Sequence, residues 1–80
     1  MTDRERRLKR LSMRSWRRGT KEMDLVLGRF WDTHGGALDD ETLDLYEDLL
    51  SESDQELYTW VSGQVTPPQR FADLVRRLLA

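Results

Sequence analysis

Residues 17–24, RRGTKEMD, place two arginines, a glycine, a glutamate and an aspartate within eight positions. Such a stretch is typical either of a junction between two helices or of a charged surface that binds a partner. At a junction, either Gly19 or Thr20 is the N-cap of the following helix, and with Gly19 as cap Glu22 occupies position N3. Both Glu22 and Asp24 then interact favourably with the positive end of the helix dipole.

Helix capping leaves part of this charge unexplained. Arg17 and Arg18 suit the C-terminal end of the preceding helix, where cations are favourable. Lys21 instead lies at the positive end of the following helix, where a cation is unfavourable. Because conflicts between local rules often occur at functional sites, a partner-binding surface is here an alternative to capping alone. Its candidate residues are Arg17, Arg18, Gly19, Glu22 and Asp24.

Other reactive chemistry is sparse along the chain. The sequence contains no cysteine, and its single histidine, His34, precedes two glycines that would hold it poorly. The carboxylates of residues 39–56 are numerous, but they fit helix caps and a solvated face and do not form a calcium-loop pattern. A glycine-rich phosphate loop is also missing. We therefore predict neither a catalytic site nor a metal site.

Charge is distributed unevenly along the chain. Residues 1–21 contain nine lysines and arginines and two acidic residues, whereas residues 22–56 contain twelve acidic residues and one arginine. A basic segment can follow a phosphate backbone, so a nucleic-acid-binding or antitoxin-type regulatory domain is one alternative, and a plain adaptor bundle is another. The acidic block would repel phosphates and can pair with the basic segment, so we expect no nucleic acid as partner.

The elements that position these residues are predicted to be helices. Apolar residues recur at helical spacing, most clearly in residues 23–31, and no segment alternates with the period of a strand. The predicted helices cover residues 3–15, residues 20–34, residues 40–51, a stretch from Ser53 to Gly63, and the residues after 66–69. Since a chain of 80 residues buries only a small core, we predict one domain over residues 1–80, an all-α, compact five-helix bundle.

Local signals predict where these helices begin and end. The expected N-caps are Asp39, Ser53 and Thr66, the last with Pro67 at the first helical position. The glycines at 35–36 are expected to end the second helix in a left-handed conformation. Gly28, inside that helix, is expected to admit another backbone.

The segment RSWRRGTKEMDLVLGRF, residues 14–30, resembles the signature of the succinate dehydrogenase assembly factors that promote covalent flavin attachment. The family motif R-G-x-x-E corresponds to Arg18, Gly19 and Glu22. A later D-x-x-L-x-x-W pattern corresponds to Asp54, Leu57 and Trp60. The similarity extends over almost the whole chain, and the family fold that it implies is a small five-helix domain.

This resemblance implies a protein that binds the flavoprotein subunit of succinate dehydrogenase, or in some bacteria that of fumarate reductase. It implies assistance in bonding FAD covalently to a histidine of that subunit, without an enzyme activity of its own. On the implied partner-binding surface, Arg18 would bind a carboxylate or carbonyl of the client, Glu22 would accept a hydrogen bond, and Gly19 would admit the client backbone. We assign no flavin site, so no cofactor is expected to bind tightly.

The hydropathy of the chain and its N-terminal segment indicate where in the cell the protein is expected. No run of about 18 apolar residues occurs, so membrane insertion is not expected. The basic N-terminal segment has no apolar core and includes Asp3 and Glu5, which is atypical of a secretory signal or a transit peptide. We therefore expect a bacterial cytoplasmic protein.

Overall fold

The computed structural model describes all residues from 1 to 80. It contains five α-helices and no strand, which confirms the predicted all-α, five-helix fold. The helices are α1 (Asp3–Trp16), α2 (Lys21–His34), α3 (Asp40–Leu50), α4 (Asp54–Val61) and α5 (Gln69–Leu79), with a short 3-10 helix at Gly35–Ala37. None of these helices is both long enough and apolar enough to cross a membrane.

One apolar core holds the helices together. Sixteen buried hydrophobic side chains from α1, α2, α3, α4, α5 and the segment before α3 form a single cluster. Burying apolar surface at about 25 cal/mol per Å² is the main favourable contribution to folding. The helix packing in turn fixes the α1–α2 junction, which contains the predicted site, against the turn between α3 and α4.

Two buried hydroxyl groups cross this core. The hydroxyl oxygens of Ser15 and Tyr46 lie 2.7 Å apart. The Ser15 hydroxyl donates to the carbonyl oxygen of Leu11 at 2.8 Å. The Tyr46 hydroxyl then directs its single proton towards the Ser15 oxygen, and the carbonyl oxygen of Leu27, at 3.3 Å, is its second, more distant acceptor. Burial raises the pKa of Tyr46 to about 12, because an ionised phenol would lose its hydration. The network thus joins α1, α2 and α3 through satisfied polar groups.

The predicted caps are confirmed at two helices and wrong at a third. The side chains of Asp39 and Ser53 accept from the backbone N–H groups of the third helical residues, as expected. Thr66 does not cap α5, which begins at Gln69 after Pro68 and has no side-chain cap. A residue before proline is driven out of the helical region, so the second proline prevents Pro67 from starting the helix.

Two glycine predictions are also corrected. Gly35 follows α2 with right-handed angles, φ −55° and ψ −44°, and continues into the 3-10 helix. A Cβ atom there would lie 2.4 Å from the Trp31 ring, so the glycine is required by packing and not by a left-handed cap. Gly28 receives the indole of Trp16 and not a backbone, since a Cβ would lie 2.3 Å from that ring.

Candidate partner-binding site

The predicted site lies at the junction between α1 and α2. Thr20 is the N-cap of α2, with φ −131° and ψ 150°, and its hydroxyl accepts from the backbone N–H of Met23 at 3.3 Å. Of the two caps that the sequence allowed, the structure therefore selects Thr20. Glu22 is then the second residue of the helix, one position too early for a reciprocal capping bond with Thr20.

Arg18 is the most constrained side chain of this junction. Its Nε donates to Oδ1 of Asp54 at 2.8 Å, and its two terminal nitrogens donate to the carbonyl oxygens of Leu50 at 2.7 Å and Glu52 at 2.8 Å. Only 10% of the side chain is exposed. The guanidinium therefore ties the junction to the turn between α3 and α4.

These bonds also complete the C-terminal end of α3. The last carbonyl groups of a helix lack partners inside the helix, and cations nearby are favourable. The last turn of α3 carries no basic residue of its own. Arg18, which lies 32 residues away in sequence from Leu50, supplies both the donors and the charge.

Gly19 is held by the same carboxylate. Its backbone N–H donates to Oδ2 of Asp54, and a Cβ atom at this position would lie 2.9 Å from that oxygen. Its φ is not positive, because the one glycine with a positive φ is Gly63. Glycine here allows the Asp54 carboxylate to approach closely, and it does not serve an unusual backbone conformation.

Asp24 is the fourth member of a group of hydrogen-bonded residues at this junction. We call the group the junction brace; it consists of Arg18, Gly19, Asp24 and Asp54. Oδ1 of Asp24 accepts from the backbone N–H of Arg18 at 2.6 Å, so two carboxylates hold two consecutive backbone N–H groups. Asp54 is 18% exposed. The brace fixes the path of the chain between α1 and α2.

Arg17 and Glu22 differ from the brace residues. Both side chains are exposed, and neither forms an ion pair within the chain. The structure thus brings the five predicted site residues together but divides them into two groups. Arg17 and Glu22 are free to contact a partner, whereas the side chains of Arg18 and Asp24 are bonded internally.

Sequence reasoning missed the neighbours of Glu22 on α4. A shallow groove beside the junction is lined by Thr20, Glu22, Asp54, Gln55 and Tyr58. Tyr58 is 46% exposed. Its position was readable from the sequence, because Leu57 and Trp60 take the inward-facing positions of α4.

The basic residues of α1 are partly neutralised by α3. Arg4 pairs with Asp40 at 2.9 Å, and Arg7 contacts Asp44 at 2.6 Å and Glu47 at 3.2 Å. The hydrogen bond with Asp44 raises the pKa of Arg7 above its ordinary value. The expected attraction between the basic first helix and the acidic third helix is therefore present.

No catalytic or metal-binding constellation accompanies these contacts. His34 is exposed at the end of α2 with its ring 5.2 Å from that of Phe30. No group of three histidine, cysteine or acidic residues is arranged to hold a metal ion. The fold and the junction together define a small helical domain whose distinctive feature is a braced, charged turn.

The chain matches the family described as "Flavinator of succinate dehydrogenase" over residues 9–80. It therefore belongs to that family, as the resemblance of its R-G-x-x-E segment indicated. The matched region includes the whole junction brace and all of α2 to α5.

Its relatives occur in bacteria and in yeasts. The mitochondrial succinate dehydrogenase assembly factor 2 of Meyerozyma guilliermondii is 42% identical over 73 residues, which are 88% of this chain and 54% of that protein. The FAD assembly factor SdhE of Coxiella burnetii is 33% identical over 63 residues, covering 78% of this chain and 77% of the relative. The SdhE of Legionella pneumophila is 34% identical over 59 residues, with coverages of 74% and 75%. This chain thus spans about half the length of the yeast relative but about three quarters of the bacterial ones.

Proposed function

We propose that this protein is an assembly factor that binds the flavoprotein subunit of succinate dehydrogenase and promotes covalent attachment of FAD to it. Membership of the flavinator family and the names of its relatives support this function. The single observation that carries the proposal is the α1–α2 junction, where the R-G-x-x-E motif forms a braced turn with an exposed Glu22.

The residues at the junction have two different roles, one in holding the turn and one in contacting the client. Arg18 and Gly19 hold the turn in one shape through Asp54, so the surface is formed before the client arrives. Glu22 and Arg17 provide unpaired charges beside that turn. An ordered surface loses less conformational entropy on binding than a flexible one, and it can favour one client conformation through differential affinity.

The covalent chemistry is proposed to belong to the client and its flavin. FAD supplies the electrophilic ring and the client supplies the histidine, while this chain binds and orients. No cofactor is proposed to bind tightly to this chain. The proposal extends to the fumarate reductase flavoprotein as a second client and to a bacterial cytoplasmic location, which the match to bacterial relatives over three quarters of both chains favours.

The test compares two single substitutions, Glu22→Gln and Glu41→Gln. Both glutamates are exposed, lie in the first turn of a helix and form no ion pair. In cells that lack the natural protein, each variant is expressed and the flavin fluorescence of the succinate dehydrogenase flavoprotein is measured in a denaturing gel. A lost hydrogen bond to a charged group weakens binding about tenfold or more, so we expect Glu22→Gln to reduce the fluorescence and Glu41→Gln to preserve it.

Two other outcomes would contradict the proposal. Fluorescence that does not depend on the unaltered protein would refute the function itself. Equal fluorescence with the two variants, at equal amounts of folded protein, would remove Glu22 from the binding surface. Circular dichroism of both purified variants shows whether either loss arises from unfolding.

A further inference from the structure

The outer face of α1 is basic and surrounds an exposed methionine. Leu11 and Ser15 face the core, so residues half a turn away face solvent. This outward side carries Arg6, Lys9, Arg10, Met13 and Arg17, all of them exposed. Met13 lies near the middle of this side and is 45% exposed.

Packing divides the cations of α1 into two sets. Arg4 and Arg7 are neutralised by α3, and Arg6 pairs with Asp3 of its own helix. Lys9, Arg10 and Arg14 have no ion-pair partner in the chain. Of these three, Arg14 is half-buried and donates to the Ser51 hydroxyl at 3.4 Å, so Lys9 and Arg10 are the free cations of the outer side. The acids of α3 do not reach the outer side of α1, which therefore keeps an uncompensated positive charge around the exposed Met13.

We propose that this outer face, formed by Lys9, Arg10, Met13 and Arg17, binds an acidic surface segment of the client flavoprotein. Carboxylates of that segment pair with the cations, and an apolar side chain of the segment covers Met13. Methionine suits such a contact because its flexible, polarisable side chain adapts to irregular surfaces. This inference rests on the proposed function and enlarges its binding surface from the junction along α1.

Continuity and charge favour a protein client over a nucleic acid. Arg17 is the C-cap of α1 and directly precedes the junction brace, so one partner can contact both surfaces. Two unpaired cations and Arg17 release few counterions from a nucleic acid, and the other side of α1 is occupied by acidic α3. Complementary charge on a protein surface mainly raises the association rate and is screened by salt.

The test measures binding of the purified full-length protein to the purified flavoprotein subunit at a series of salt concentrations. The double variant Lys9→Glu/Arg10→Glu is compared with Arg29→Glu/Arg76→Glu, which makes the same change in net charge on α2 and α5. Because each exposed pair contributes a factor of about two to five, we expect the α1 variant to bind about tenfold more weakly at low salt. The difference should shrink at high salt, and the control should bind normally.

A separate substitution tests the apolar contact. Met13→Ser should weaken binding about fivefold at every salt concentration, because burial of apolar surface is not screened. Equal binding by Met13→Ser and the unaltered protein would remove Met13 from the interface. Since Met13 is exposed, unchanged thermal melting is expected for this variant and is checked in parallel.

The remaining outcomes separate this inference from the proposed function. If the unaltered protein does not bind the flavoprotein, both proposals are overturned. If it binds and the α1 double variant binds equally well, only the α1 proposal is overturned and the junction remains the surface. Tight binding of duplex DNA that the α1 variant loses, with client binding unchanged, would assign this face to nucleic acid instead.

Discussion

Replacing Asp54 by asparagine should loosen the junction brace and destabilise the whole domain. The carboxylate accepts from Nε of Arg18 and from the backbone N–H of Gly19 at the same time. Asparagine keeps one acceptor oxygen but presents an amide NH₂ to the second donor. One of the two bonds is therefore lost, and the remaining one is no longer assisted by charge.

The structure sets the size of this effect. A hydrogen bond to a charged group contributes about 1.5–3 kcal/mol, so losing one and weakening another should cost about 2 kcal/mol. Arg18 keeps its hydrogen bonds to the carbonyl oxygens of Leu50 and Glu52. The loss should therefore stay below the cost of breaking a fully buried ion pair, which is about 3–5 kcal/mol. In a domain of this size, about 2 kcal/mol lowers the melting temperature by roughly 8–16 °C.

The assay is thermal unfolding followed by far-ultraviolet circular dichroism, with Asp48→Asn as the matched control. Asp48 pairs with Arg70 at 3.2 Å, but both side chains are more than half exposed, and such pairs contribute about 0–1 kcal/mol. We therefore expect the melting temperature of Asp54→Asn to fall well below that of Asp48→Asn.

A double-mutant cycle with Arg18→Gln completes this test. If Arg18 acts inside the chain, the single substitutions should each destabilise the protein, and the double variant should lose less than their sum. Equal melting temperatures for Arg18→Gln and the unaltered protein would refute the reasoning. Arg18 would then serve the client directly, as the sequence had suggested, and the brace would contribute nothing to stability.

Two further predictions concern the core. Gly35→Ala should lower the urea midpoint by the equivalent of about 1–3 kcal/mol, because its Cβ would lie 2.4 Å from the buried Trp31 ring. The control Gly36→Ala places its Cβ in open space and should leave the midpoint unchanged. Equal midpoints for the two variants would contradict this packing. Burial keeps Tyr46 protonated up to a pKa of about 12, against 10.0 for an ordinary tyrosine. Between these values the unfolded chain has lost the proton that the folded chain retains, so stability falls as pH rises, by about 1.4 kcal/mol per pH unit. Urea titrations at about pH 9 and about pH 11, on either side of the ordinary tyrosine pKa, measure this decline. Tyr46→Phe should lack it. An equal decline in the variant and the unaltered protein would show that Tyr46 does not cause it.

Two kinds of information were available in the sequence. Helical periodicity and side chains that cap their own helix act within a few residues, so the five helices and the caps at Asp39 and Ser53 were predictable. The R-G-x-x-E motif identified the family and the stretch that contains the junction. What the motif could not show is which of its residues face a partner.

That division was decided by tertiary packing. Arg18 and Asp54 are 36 residues apart, and no local rule pairs them until α3 and α4 fold against the α1–α2 junction. The same packing neutralises Arg4 and Arg7 against α3 and leaves Lys9 and Arg10 uncompensated. The sequence by itself determined the helices and the position of the charged turn, because those signals are local. Only the tertiary structure decided which charges are internal and which are exposed, because the partners of a charged side chain depend on distant segments meeting in space.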